Sequence, residues 1–179
     1  MFKKSIRTIC QVALLIALEI VLNRMLSFNT PIFKIGISCI PIIICGIAFG
    51  PAWAAVVAAV ADVLGATIFP IGAFIPGFTL SAILKGLIWG LFLYSNEDLK
   101  LNSWKTWLRI LCPIFINCVL IGLFLDTYWL SQVTSQQTYI GILSSRLIQF
   151  AILIPIQIVI VPFGFGLVKL LRKSSLIEE

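Results

Sequence analysis

Three cations stand beside apolar, aromatic segments of the sequence and apart from its charged ends: Arg24, Lys34 and Arg146. A guanidinium donates two parallel hydrogen bonds to a carboxylate and an ammonium adds a compact charge, so loops that closed these three around a cavity would hold an anion. Aromatic rings fall in the same segments, at Phe28, Phe33, Phe69, Phe74, Phe78, Tyr128, Trp129 and Tyr139. Planar rings sandwich a planar ligand at centroid separations of about 4.5–7 Å. Interface anchoring explains either group alone, with cations snorkelling and rings lying at headgroup level. Together they fit a ligand with a flat ring and an acidic tail.

Other chemistries are excluded by count. The chain has no histidine, so imidazole relays, nucleophile–histidine pairs and imidazole metal sites are absent, and an intramembrane enzyme is disfavoured. The five cysteines (Cys10, Cys39, Cys45, Cys112, Cys118) lie in apolar stretches without a C-x-x-C pair and read as small buried hydrophobes. No G-x-x-x-x-G-K-[ST] loop occurs, so ATP-driven work would need another subunit.

The elements that must position the three cations are membrane-spanning. Of 179 residues, 60% are hydrophobic and 11% charged, where a soluble domain carries roughly 25% charged residues. A crossing takes about 20 apolar residues, and the apolar runs are too long and uniform for barrel strands. The expected fold is an all-α integral membrane protein of six transmembrane helices, one domain over residues 1–179. The first run, Ile6 to Leu26, follows Lys3 and Lys4, lacks a signal-peptide cleavage region and reads as a retained helix. A polar break from Asn23 to Lys34 follows. The second run, Ile35 to Phe49, meets the third, Ala52 to Phe69, across Gly50 and Pro51, which predicts a tight antiparallel hairpin. Residues Pro70 to Gly77 are apolar but hold two prolines and two glycines, hence a structured hydrophobic loop. The fourth run is Phe78 to Tyr94, and a hydrophilic connection, Ser95 to Thr106, divides the chain into halves. The fifth run, Trp107 to Leu125, leads into a polar and aromatic loop, Asp126 to Thr138. The sixth, Ile140 to Leu171, is interrupted by Pro155 and Pro162.

The net charge of +6 reports orientation. With the N-terminus inside, the inner face holds Lys3, Lys4, Arg7, Lys100, Lys105, Arg109, Lys169, Arg172 and Lys173, and the outer face only Arg24, Lys34 and Arg146. That bias places both termini in the cytoplasm. Glu19, Asp62 and Lys85 lie inside apolar runs, where a charge costs at least about 2.5–3.5 kcal/mol, so Lys85 is expected to neutralise Asp62 or Glu19. A proton or ion pathway is the sharper reading, but no further acidic residues form a chain. Ala13 and Ala17, Gly86 and Gly90, and the series Gly46, Gly50, Ala54, Ala58 are tracks for close helix packing.

These residues carry a resemblance. From Ala13 to Leu22, through Arg24, Phe49-Gly50-Pro51 and Ala61-Asp62-Val63-Leu64-Gly65, to Phe69-Pro-Ile-Gly-Ala-Phe-Ile-Pro-Gly-Phe-Thr-Leu-Ser81, Asp126-Thr-Tyr-Trp-Leu-Ser131 and Arg146-Leu147, the chain resembles the folate group of substrate-binding S components of energy-coupling factor (ECF) vitamin transporters. It departs from that pattern at Asp126, where asparagine is usual, and at Lys85, where a neutral residue is usual. The resemblance implies an ECF S-component bundle in the bacterial plasma membrane that captures folate outside and delivers it through a T component and two ATPases, with no cofactor of its own and no nucleic-acid partner. It implies that Ala13 and Ala17 contact the T component and that the outer loops form the site. Folate, a pterin joined through aminobenzoate to glutamate, has the flat ring and acidic tail inferred above. Arg146 with Arg24 or Lys34 would then meet the glutamate carboxylates. Phe74, Phe78 and Trp129 would cover the rings, and Thr79, Asn117 and Gln149 would bond the pterin edge. Gln149 lies three residues after Arg146, on roughly the same helix face. An S component for another vitamin and a ligand-free structural subunit are the other readings. The helix-breaking Phe69 to Gly77 loop argues against the second.

Overall fold

The computed structural model describes residues 6–29, 34–70, 75–94, 104–133 and 139–173. Apart from one small β pair the described residues outside the connections are helical, and they form six continuous helical rods. These are α1 (Ile6–Arg24), α2 (Cys39–Phe49), α3 (Pro51–Ile68), α4 (Pro76–Leu93), a compound rod, and α7 (Tyr139–Lys173). The compound rod joins α5 (Trp104–Phe115), a π-helical segment (Ile116–Leu125) and α6 (Asp126–Val133) end to end. Five rods are long and apolar enough to cross a membrane: Ile6–Arg24, Pro51–Ile68, Pro76–Leu93, Trp104–Gln132 and Arg146–Leu171.

Three expectations need correction. The second run is helical only over Cys39–Phe49, eleven residues or about 16 Å, short of a crossing by itself. Its start is drawn out by a two-residue antiparallel pair, β1 (Phe28–Asn29) with β2 (Lys34–Ile35). Asp126 to Val133, expected as loop, continues the rod as α6, because Trp129 and Asp126 find protein partners on α4. Pro155 and Pro162 lie inside an unbroken α7. Neighbouring helices and local adjustment of the hydrogen-bond ladder let spanning helices tolerate proline.

The α2–α3 joint is as short as expected. Gly50 adopts φ of +88°, a left-handed conformation that costs an L side chain energy, and Pro51 opens α3 where no N–H is needed. Helix α4 then lies along both partners with almost no side chain between. A Cβ on Gly86 would stand 2.6 Å from the Ala54 carbonyl oxygen, one on Gly90 would stand 2.2 Å from Pro51 Cα, and one on Gly46 would stand 3.1 Å from the Gly90 backbone nitrogen. Apolar burial drives little helix association within lipid, so such close contact is how helices gain packing energy there. Both glycine tracks therefore act within the chain. The buried centre gathers Ile43, Ile47, Val57, Leu93, Ile110, Ile114 and Val161. Helix α1 joins it by a seam of Val12, Leu15, Glu19 and Leu22, leaving its other side, with Cys10, Ala13, Leu14, Ala17 and Leu18, exposed. Cys10 is thus not a buried hydrophobe, while Cys45 and Cys118 are buried.

Candidate functional site

Gly77, Ser81 and Lys85 recur every fourth residue, so they share one face of α4, and that face meets the compound rod. The indole of Trp129 lies directly on Gly77, where a Cβ would stand 2.2 Å from the ring. Tyr128 meets Trp129 edge-on at 5.3 Å, and the indole Nε1 is buried without a hydrogen-bond acceptor. Phe78, the next residue on α4, is half-buried. Two turns further on, Lys85 Nζ donates to Asp126 Oδ2 at 2.5 Å. This corrects the expected pairing of Lys85. Asp62 instead accepts a hydrogen bond from Thr79 Oγ1 at 2.7 Å, and Glu19 accepts one from Asn23 Nδ2 at 2.7 Å. Lys85 and Asp126, the two positions at which the resemblance implies unusual residues, form one ion pair.

The third wall is α7. Arg146 Nη1 donates to the carbonyl of Gly122 in the π segment at 2.8 Å, its Nε is buried without a partner, and Asp126 lies within electrostatic range of it. Phe150 packs on Gly122, where a Cβ would stand 2.4 Å from the ring. Gln149, one turn beyond Arg146, is buried. The π register, with its i+5 hydrogen bonds, sets Asn117 about one turn before Gly122, and Gly122 one turn before Asp126 and Thr127. Asn117 is 5% exposed, with neither amide atom hydrogen-bonded. Buried polar groups are bonded as a rule. Here Ser81 Oγ, Thr127 Oγ1, Asp126 Oδ1, Trp129 Nε1, Arg146 Nε and the Asn117 amide all lack partners, and they occupy the three elements α4, compound rod and α7. These unpartnered groups include both donors and acceptors, the complement of a ligand that carries both.

Arg24 stands at a second corner. As the last residue of α1 it stabilises that helix end, and its guanidinium crosses α3 at Gly65, where a Cβ would lie 2.9 Å from Nε. That Nε is also buried without a partner. Asp62, one turn before Gly65, is the residue bonded by Thr79, so α3 links the Arg24 corner to α4. Lys34 lies on β2, which abuts α7; its side chain, like all of Phe74, lies outside the described residues. Ala13 and Ala17 are exposed on α1.

Sequence reasoning missed Lys85 with Asp126, and also Ser81 and Thr127. The four-residue recurrence of Gly77, Ser81 and Lys85 could have revealed Ser81 and Lys85 as sharing one face. A separate hollow of about 370 Å³ lined by Leu111, Cys112, Ile114, Phe115, Ile116 and Ile154 lies between α5 and α7. It offers no donor or acceptor and touches none of the polar groups above. Among the described residues no group of side chains could hold a metal ion.

Comparison with known proteins bears on this site. The family described as "ECF transporter, substrate-specific component" matches residues 7–163. The chain is similar to the folate transporter FolT of Clostridium novyi (strain NT), 36% identical over 176 residues that span 98% of this chain and 96% of that protein. It is also similar to the FolT of Leuconostoc mesenteroides subsp. mesenteroides, 28% identical over 160 residues, 87% and 83% of the two chains. Among solved structures, a crystal structure of FolT bound with folic acid superposes with a TM-score of 0.78 at 34% identity, covering 89% of this chain and 92% of that one.

Proposed function

Because the chain belongs to the family of ECF transporter substrate-specific components, we propose that it captures folate from outside the cell and delivers it through a T component and two ATPase subunits. The observation that carries this reading is the likeness, over nine-tenths of both chains, to a FolT bound with folic acid. The chain acts as a transporter subunit without an enzymatic step or cofactor of its own, since its sequence has no nucleotide-binding loop and no histidine. The excess of cations on one side of the apolar runs favours six crossings with both termini in the cytoplasm of a cell membrane.

Arg24, with Lys34, answers the carboxylates of the acidic tail, and Arg146 supplies a further charged donor. Phe74, Phe78 and Trp129 cover the rings, and Thr79, Asn117 and Gln149 bond their polar edges. In support, the Arg24 and Arg146 Nε atoms and the Asn117 amide are buried and unpartnered, while Thr79, whose hydroxyl donates a hydrogen bond to Asp62, has its oxygen lone pairs left to accept. Ala13 and Ala17 form a small-residue stripe through which the T component approaches α1.

The test is to purify the chain alone and identify any co-purifying small molecule by mass spectrometry, then to measure equilibrium binding to a panel of vitamins. Folate is expected to co-purify and to bind most tightly. Tighter binding of a different vitamin would make this an S component for that vitamin, and no binding at all would favour a structural subunit.

A further inference from the structure

Asp126 is the buried carboxylate of the site, and one of its oxygens has no partner. Oδ2 is held by Lys85, whereas Oδ1 is buried with no donor. A charged acceptor in this position is costly unless something donates to it, because a buried unsatisfied group forfeits its full solvation. The remaining unpartnered groups define what that donor belongs to. Ser81 Oγ lies on α4 between Gly77, under the Trp129 ring, and Lys85. Thr127 Oγ1 is adjacent in sequence, and Arg146 Nε stands opposite on α7. A bare carboxylate ligand would bring a second negative charge against Asp126 and leave Oδ1 unsatisfied. A flat heterocycle with N–H donors beside a carbonyl acceptor satisfies both sides: its donors meet Asp126 and its carbonyl meets Arg146. The Trp129 ring, fixed on Gly77, offers such a heterocycle a stacking face.

We propose that Asp126, held in place by Lys85, is the acceptor for the ring N–H and exocyclic amino donors of the pterin, with Arg146 donating to the neighbouring ring carbonyl. This rests on the folate reading. It moves Arg146 from the tail carboxylates, where the sequence analysis put it, to the ring, and leaves the tail to the Arg24 corner. The ion pair determines specificity, since a hydrogen bond to a charged acceptor is roughly twice as strong as one between neutral groups.

The test compares folic acid with its 2-deamino analogue, which keeps the tail and ring system but lacks the exocyclic amino group. The parent protein is expected to prefer folic acid by about 10- to 100-fold. In Lys85→Met with Asp126→Leu, an apolar replacement of the pair that is often neutral for stability, the preference is expected to fall to about threefold or less, because both ligands then lack the acceptor. A merely structural role would weaken both ligands together and leave their ratio unchanged. If that pair does not fold, Lys85→Met with Asp126→Asn, closest in shape, is expected to lower the preference at least about threefold through loss of the charge. An undiminished preference in either folded variant, or no preference in the parent, overturns the assignment. A parent that binds no folic acid overturns the folate reading as well, a result distinct from binding without discrimination.

Discussion

A methyl group at Gly77 would overlap the Trp129 indole, and one at Gly65 would overlap the Arg24 guanidinium, so two glycines leave room for two side chains of the proposed site. Gly65→Leu is therefore expected to displace Arg24 and weaken folate binding by about 10-fold or more, as loss of a charge-assisted contact does. Titration calorimetry of the variant checks it, with unchanged affinity showing that Arg24 does not reach the ligand. Arg146→Ala is expected to cost far more affinity than Lys100→Ala, since losing a hydrogen bond from a charged donor costs about 1.5–3 kcal/mol, whereas Lys100 belongs to the hydrophilic connection of the sequence and has no part in the proposed site. Equal affinities would remove Arg146 from the site. Arg24, Arg146 and Trp129 could be nominated for the proposed site from the sequence because charge and aromaticity are properties of a residue type. The partner of Lys85 could not: Asp62, Glu19 and Asp126 are chemically alike, and only the packing of α4 against the compound rod selects Asp126.

Between elements, the close approach of α4 to α2 and α3 holds the wall that carries Gly77, Ser81 and Lys85. Gly90→Leu forces side-chain atoms onto the Pro51 backbone and is expected to lower stability by about 1–3 kcal/mol or more, read as an earlier melting transition in detergent. A transition unchanged from the parent would mean α4 packs less closely than described. The exposed face of α1 makes the opposite case. Ala13→Trp with Ala17→Trp adds bulk on a face that is exposed among the described residues, so folate binding is expected to match the parent while co-purification with the T component and ATPases, and ATP-dependent uptake, are lost. Normal uptake in reconstituted vesicles would refute the docking role. The rods and the Gly50–Pro51 joint are legible in the sequence because long apolar runs and helix-breaking pairs are local patterns. The extension of the fifth rod through Asp126–Val133 is not. That segment is polar and aromatic by composition, and its helicity comes from contacts made at a distance, by Trp129 with Gly77 and by Asp126 with Lys85. The π segment is hidden for a similar reason, since nothing in Ile116–Leu125 distinguishes an i+5 from an i+4 register.

For the whole molecule, the proposed orientation, with both termini in the cytoplasm, is expected to turn the segment that leads into α4 at Pro76 outward. In a cysteine-free background, impermeant labelling from outside is expected to modify single cysteines at positions 72 and 135 and to spare one at position 102. Labelling at 102 alone would invert the topology. The central claim is that this chain forms a complete folate site without its partners, built where α4, the compound rod and α7 meet and closed by the Arg24 corner. Titration calorimetry of the purified chain with folic acid, in the absence of ATP and of any other subunit, tests it most directly. The account predicts saturable binding at one folate per chain; the absence of saturable binding by the folded protein would contradict it.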